Sequence, residues 1–408
     1  MNFEKYTVWQ LLRKAFVKIH LYAGLISGLI VIAVCLSGTL YVYNTEIREY
    51  SNPELHFVDP GNKRMSADQL REALQKTEKS NVVAVSWTED PERSVQFTLL
   101  ADGEKGRGTT YFVNPYTAEI LGNSSEKTAA SEFMGYMFSL HRWLLLDRIE
   151  EPIMESMSNR DLGRFINGVC TLLFTLGVLT GIIIWFPNKV KNWKQGLKVK
   201  WNANWKRVNH DLHNTLAFYS LIFLLIMGVT GPFWSYSWYR EGWQKTWDIY
   251  EDPAQAKGEG EKKAQEENSE PVTFSLDEVL KTADAALPYA GNVRVSIPSK
   301  SSEKVSVRKY RTGFFAKAGS DNLELDPLTL EVTEASLFSD LPFRQQVGRS
   351  VKSLHTGEIF GQFTKFIWFV TCLIATSLPI TGTLIWLNKG KKKKSKRNVL
   401  NKQKVEMA

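Results

Sequence analysis

Six histidines occur in the 408 residues, and four of them are spaced in a way that suits metal chemistry. His20 and His213 each lie 18 residues ahead of a glycine, in the pairs Ser37-Gly38 and Thr230-Gly231, and each interval is apolar and uncharged. His141 and His355 stand in Ser139-Leu140-His141 and Ser353-Leu354-His355. Each precedes a further apolar run, one containing Thr180-Gly181 and Trp185, the other Thr381-Gly382 and Trp386. The chain thus reads as one unit written twice, with each copy giving one histidine to each of two levels. If a twofold axis relates the copies, His20 faces His213 and His141 faces His355. Two facing imidazoles without thiolates or carboxylates make a poor structural zinc site, which takes four ligands, and they suit the two axial positions of a heme iron. The competing reading is structural, since a lone histidine at a helix end is commonly an interfacial or capping residue. His210 competes with His213 as a ligand, but only His213 keeps the 18-residue register. His56 reads as an ordinary surface residue.

These histidines need elements to hold them, and hydropathy supplies those. A mean hydropathy of -0.23 averages two polar stretches with four apolar runs, His20 to Tyr43, Phe165 to Phe186, Asn214 to Trp238 and Phe366 to Leu387. Each run is about as long as the 20 or so helical residues that cross a bilayer, and none contains Asp, Glu, Lys or Arg. Basic residues cluster before the first run, over residues 187 to 209, and after the last run. These three pieces hold 20 of the 51 Lys and Arg against only Glu4 and Glu406, which leaves 31 basic and 41 acidic residues elsewhere. The net charge of +8 is therefore a topology signal that places both termini in the cytoplasm and both large loops outside. It is no sign of nucleic-acid binding. All three cysteines, Cys35, Cys170 and Cys372, fall within spans, so the outer loops have no disulfide.

The outer loops, 44–132 and 239–345, share one grammar. Ser66 and Ser275 each cap a helix, over Ala67 to Glu78 and Leu276 to Leu287. In the first loop, strands follow at Val82 to Trp87, Val95 to Leu100 and Thr109 to Val113, then a turn through Asn114-Pro115-Tyr116. In the second they follow at Val293 to Ile297, Lys304 to Lys309 and Asn322 to Leu325, then Asp326-Pro327-Leu328. The expected fold is an α-helical membrane protein, with four transmembrane helices in a pseudo-twofold bundle and two small α+β domains. The remaining boundaries are 1–43 for the cytoplasmic N-terminus and first span, 133–186 for an outer histidine segment and second span, and 187–209 for a basic loop. Residues 210–238 form the third span, 346–389 a second histidine segment with the fourth span, and 390–408 a basic tail. A polar linker is expected at 251–270. Between His141 and Gly181 the first copy carries an insertion of 13 residues, placed near 147 to 160.

Heme propionates call for cations, and Arg142 on the outer side and Arg207 on the inner side are the candidates, against the alternative of snorkelling interfacial arginines. Spans free of ionisable side chains disfavour an ion-coupled transporter. Without a dinucleotide fingerprint or P-loop, electrons must come from a partner, a quinol or a soluble flavoprotein.

At these residues the sequence resembles the PepSY-associated transmembrane family of bacterial iron-regulated membrane proteins, which includes ferric-siderophore reductases of the ferrioxamine-reductase type. The matching pieces are the His20 helix ending in Ser37-Gly38-Thr39-Leu40, Leu140-His141-Arg142, Asp211-Leu212-His213, and Leu354-His355-Thr356-Gly357 with Thr381-Gly382. The hairpins Tyr111 to Leu121 and Asn322 to Val332 resemble the ends of PepSY domains. Ala118 and Leu330 stand where a glycine commonly follows the threonine, and Asn214 follows His213 where a basic residue often occurs. The resemblance implies a multi-pass protein of the bacterial inner membrane with two heme b groups and periplasmic PepSY-like domains. It further implies reduction of a ferric siderophore on the periplasmic side. The alternative is a membrane-anchored sensor or interaction protein whose PepSY-like domains bind an envelope partner and whose histidines are structural.

Overall fold

The computed structural model describes residues 7–101, 106–186, 193–252, 273–298 and 303–406. Most of the expected linker at 251–270 lies outside the described residues, as does the start of the basic loop. Four helices are long and apolar enough to cross a membrane. They are α1 (Val8–Tyr41), α6 (Asn159–Trp185), α8 (Trp205–Thr230, extended by a 3-10 turn Gly231–Trp234) and α13 (Gly361–Glu406). The first three begin before their apolar runs because a polar residue upstream caps each of them. Thr7 forms a capping box with Gln10, Ser158 accepts from the Asp161 amide, and Asn204 accepts from the Arg207 amide. His20 and His213 therefore sit inside helices and not at their starts. Pro379 lies within α13 opposite Gly28, where an added Cβ would come within 3.2 Å of the proline ring. Glycine there lets α1 and α13 approach closely.

Between the spans run α2 (Asn44–Ser51), α3 (Pro53–His56), α4 (Ala67–Thr77), α5 (Ala129–Trp143), α7 (Trp193–Gly196), α9 (Ser237–Thr246), α10 (Leu276–Ala286), α11 (Phe343–Arg349) and α12 (Val351–Thr356). The strands are β1 (Asn81–Trp87), β2 (Val95–Leu100), β3 (Thr109–Val113), β4 (Ile120–Asn123), β5 (Gly291–Ser296), β6 (Val305–Arg311), β7 (Ser320–Leu325) and β8 (Val332–Ser336).

Each outer loop supplies the helix and strands expected of it, and the two halves then join edge to edge. β1 pairs with β5 antiparallel, Val85 opposite Val295, giving one eight-stranded sheet of order β4-β3-β2-β1-β5-β6-β7-β8. The reason lies in the apolar residues. Leu70 and Leu74 of α4, Val279 and Ala283 of α10, and alternate strand residues from Val85 and Phe97 to Val307 and Leu325 form a single buried cluster. Neither half has a complete core of its own, so pairing the two open edges buries both. The helices are joined too, by reciprocal caps. Asp68 accepts from the Leu276 and Asp277 amides at 3.0 and 3.2 Å and from the Ser275 hydroxyl at 2.6 Å. Asp277 in turn accepts from the Ala67 and Asp68 amides at 2.8 and 3.2 Å. Each carboxylate thus satisfies the exposed amides of the other helix.

The hairpin turns match as well. Asn114 and Asp326 accept side-chain bonds from the amides two residues on, and Ala118 and Leu330 both take left-handed backbone, φ 59° and 57°. That conformation is why glycine suits the position and why alanine or leucine is strained there. Ion pairs tie the sheet and its flanking helices to the bundle, Arg93 to Glu49 at 2.7 Å and buried Lys365 to Glu46 at 2.7 Å.

Candidate heme-binding histidine pairs

α1 packs against α6 and α13, and α8 against the same two helices. This arrangement carries His20 of α1 to His213 of α8, with ring centroids 6.3 Å apart, away from the sheet. Nearer the sheet, α5 brings His141 and α12 brings His355, with centroids 6.1 Å apart. The sequence-paired histidines therefore meet in space as two sets.

Each imidazole rests in a socket built by one of the Ser/Thr-Gly dipeptides on a different helix. An added Cβ would lie 3.1 Å from His141 at Gly38, 3.3 Å from His20 at Gly181 and 3.2 Å from His213 at Gly382. At Gly231 it would lie 3.7 Å from His355 and 2.9 Å from Thr171. The missing Cβ lets the ring edge reach the helix backbone. Nδ1 of His20 lies 2.9 Å from the Gly177 carbonyl, and Nδ1 of His141 lies 2.9 Å from the Val34 carbonyl. Both carbonyls belong to the residue four before the socket glycine. In the other two sockets the threonine hydroxyl takes this part, with His213 Nδ1 2.9 Å from Thr381 Oγ1 and His355 Nδ1 3.0 Å from Thr230 Oγ1.

These contacts fix the tautomer. A carbonyl only accepts, so Nδ1 of His20 and His141 carries the proton. The Thr381 and Thr230 hydroxyls already donate to Ser377 O at 3.0 Å and Ile226 O at 2.7 Å, which leaves their lone pairs to accept from Nδ1. Nε2 of each ring is then an unprotonated donor atom, and none of the four makes a hydrogen bond among the described residues. This is the second-sphere arrangement of a metal-ligating histidine. In the pair nearer the sheet, burial above all, and then His141, pushes His355 down to about 3, so that ring is neutral.

The spacing tests the fit to heme. Two metal–nitrogen bonds of about 2 Å, with about 1.1 Å from nitrogen to ring centre at each end, set two axial imidazole centroids about 6.2 Å apart. Both pairs match that separation. Among the described residues no group of three or more His, Cys, Asp or Glu surrounds a common point, so neither pair has the further ligands that zinc would use.

The other candidates fall differently. Arg142 is half-buried, with its guanidinium 5.9 Å from the Phe138 ring and 6.0 Å from the Trp143 ring, and no carboxylate pairs with it among the described residues. Burial first, and then the Arg164 and Arg160 charges, lowers its pKa. Arg207 is paired with Asp211 at 2.8 Å. His210 is half exposed, 3.5 Å from Asp211 and 3.4 Å from the Asn214 side-chain amide. His56 packs on Phe112 at 4.8 Å. Sequence reading treated the Ser/Thr-Gly pairs as marks of the repeat and missed them as histidine sockets. The available signal was their number, four dipeptides for four histidines.

No curated protein matches the chain. The model of the PepSY-associated TM region matches residues 17–389, a stretch that contains all four histidines and the whole sheet. The chain belongs to the PepSY-associated transmembrane family.

Proposed function

We infer that this protein is a di-heme b electron-transfer protein of the bacterial inner membrane that reduces ferric iron in siderophore complexes for iron uptake. The observation that carries the reading is the locking of all four histidines, Nδ1 engaged and Nε2 free, in two pairs at heme-ligand spacing. Heme bound at the two pairs would supply one-electron transfer between the membrane faces. The chain's own part is to hold four neutral imidazoles in fixed tautomers, to exclude water from them with apolar helices, and to keep the two levels a set distance apart. Arg142, with no carboxylate partner among the described residues, would be available to a propionate. Basic segments at both termini and after α6 support cytoplasmic ends, with the sheet in the periplasm and the two halves related by a pseudo-twofold axis. Electrons from a quinol or a soluble flavoprotein would enter on the side of His20 and His213, and ferric siderophore would take them, one per iron, on the side of His141 and His355. Reduction releases the iron because hard oxygen donors hold the ferric ion more tightly than the ferrous.

Purified protein loaded with heme is expected to show a reducible b-type Soret band with two hemes per chain, and His355→Ala one. A loaded protein without such a band would overturn the reading and favour a membrane-anchored interaction protein with structural histidines.

A further inference from the structure

The loop between β6 and β7 ends in Phe314 and Phe315, which are 58% and 66% exposed. Two bare phenylalanines at the tip of a polar sheet need a partner surface. Their position identifies it. The loop is fastened to the start of the membrane-spanning α13 by main-chain bonds, Phe363 N to Phe314 O at 3.3 Å and Ala318 N to Ile359 O at 3.1 Å. Gly361 makes this approach possible. Its φ is +56°, and a Cβ there would lie 2.7 Å from the Phe314 carbonyl. The Phe315 ring contacts that of Phe363, 5.4 Å away between centroids. Phe363 heads an exposed stripe on α13 that continues through Phe366, Val370 and Leu373, at the three- and four-residue steps of one helix face. That face belongs to a bilayer-crossing helix and meets lipid. The two loop phenylalanines extend it past the helix end to the level where aromatic side chains gather in membrane interfaces, and exposed Lys317 beside them suits the headgroup layer.

We propose that the β6–β7 loop is a lipid-interface anchor, in which Phe314 and Phe315 insert into the leaflet on the sheet's side of the membrane and pin that half of the sheet above the bundle. The anchor sets the height of the sheet over the His141/His355 pair independently of any cofactor.

The test uses the full chain in phosphatidylcholine vesicles, with Cys35, Cys170 and Cys372 replaced by Ala and a single introduced cysteine carrying a bimane fluorophore. A spin label on the lipid chain close to the headgroup serves as quencher. Phe315→Cys should lose about half its fluorescence, as should Phe366→Cys at the head of the lipid-facing stripe, because both lie near the headgroup level of the membrane. Lys281→Cys, on the exposed face of α10, should lose almost none. As a readout without labelling, Phe314→Ala with Phe315→Ala should leave the fold intact by circular dichroism and speed amide exchange over 312–319 in vesicles. Quenching at Phe315→Cys no greater than at Lys281→Cys would overturn the proposal. So would burial of the loop that disappears when the protein is diluted in excess lipid, since that result assigns the patch to a second copy of the chain.

Discussion

Gly38→Val isolates one histidine pair from the other. The Cβ that alanine would add at Gly38 meets Nδ1 and Cε1 of His141 at 3.1 Å, inside the ordinary van der Waals range, so the imidazole has to retreat by a few tenths of an ångström. The Nδ1 bond to Val34 O, now 2.9 Å, resists that retreat because it weakens beyond about 3.2 Å. Overpacking of this degree costs about 1–3 kcal/mol, or roughly a 5- to 150-fold loss of affinity at the pair. Valine adds two further carbons in a helix that leaves them nowhere to turn, and the ring has to leave its socket. Helix propensity works the other way, since replacing glycine by alanine favours the helix by about 1 kcal/mol, so a loss at the pair cannot be charged to α1 itself. Gly24, also in α1, has nothing within 4 Å of its added Cβ and serves as the control. If each pair holds one heme as proposed, heme per chain, measured by the pyridine hemochrome, should fall from two to one in Gly38→Val, drop partly in Gly38→Ala, and stay at two in Gly24→Ala. A redox titration of Gly38→Val should retain one of the two wild-type steps, the one belonging to His20 and His213. Two hemes with unchanged steps in Gly38→Val would refute the socket and, with it, the assignment of His141.

The reciprocal caps predict an acid limit to the sheet. Burial disfavours the charged Asp68, but hydrogen bonds from Ser275, Leu276 and Asp277 outweigh it and hold its carboxyl below the usual value. Its stabilising contribution is therefore complete above about pH 4 and lost as the pH falls through the lower folded value, so Asp68→Asn should flatten the acid limb of a pH–stability curve read by tryptophan fluorescence. Leu330 has φ 57°, where leucine is strained by about 1 kcal/mol relative to glycine, but its side chain packs on the sheet core, and that burial outweighs the strain, so Leu330→Gly should lower thermal stability by calorimetry, whereas Leu328→Gly at the exposed neighbouring turn position should change it little.

Much of the architecture was legible because its signals are local. Four apolar runs, two serine caps and the alternating strands all depend on residues close together in the chain, and the structure places the strands and the serine-capped helices there within a few residues and a helix, several residues longer, over each apolar run. The joining of the two outer loops was not legible. It depends on β1 meeting β5 across some 200 residues, and a strand edge carries no mark in its own residues of what will pair with it. The same holds for Arg207. The sequence shows a cation near a histidine, but whether it faces that histidine or turns to Asp211 four residues on is decided by side-chain geometry.

The 18-residue interval gains a physical meaning from the sockets. His20 and Gly38 serve different pairs, since His20 rests on Gly181 while Gly38 receives His141, and His213 and Gly231 divide in the same way. At about 3.6 residues per turn, 18 residues make five whole turns, so the histidine and the glycine point to one side of the helix, about 27 Å apart along its axis. A single face of α1, and likewise of α8, therefore offers an imidazole at one level and a socket at the other. An interval one or two residues longer or shorter would rotate one of the two away by about 100° or 160°. The unequal intervals elsewhere follow from the same argument. His141 and His355 lie on the short helices α5 and α12, separated by turns from Gly181 and Gly382 on α6 and α13, so nothing ties their spacing to the helical period. The 13 extra residues of the first copy are absorbed in that connection, where the Asn159 side chain bonds the backbone of Ile149, Glu151 and Ile153 and folds the insertion against the start of α6. The interval is conserved between the two halves where a rigid helix enforces it and relaxed where a turn intervenes, which is what two histidine pairs held at fixed depths require.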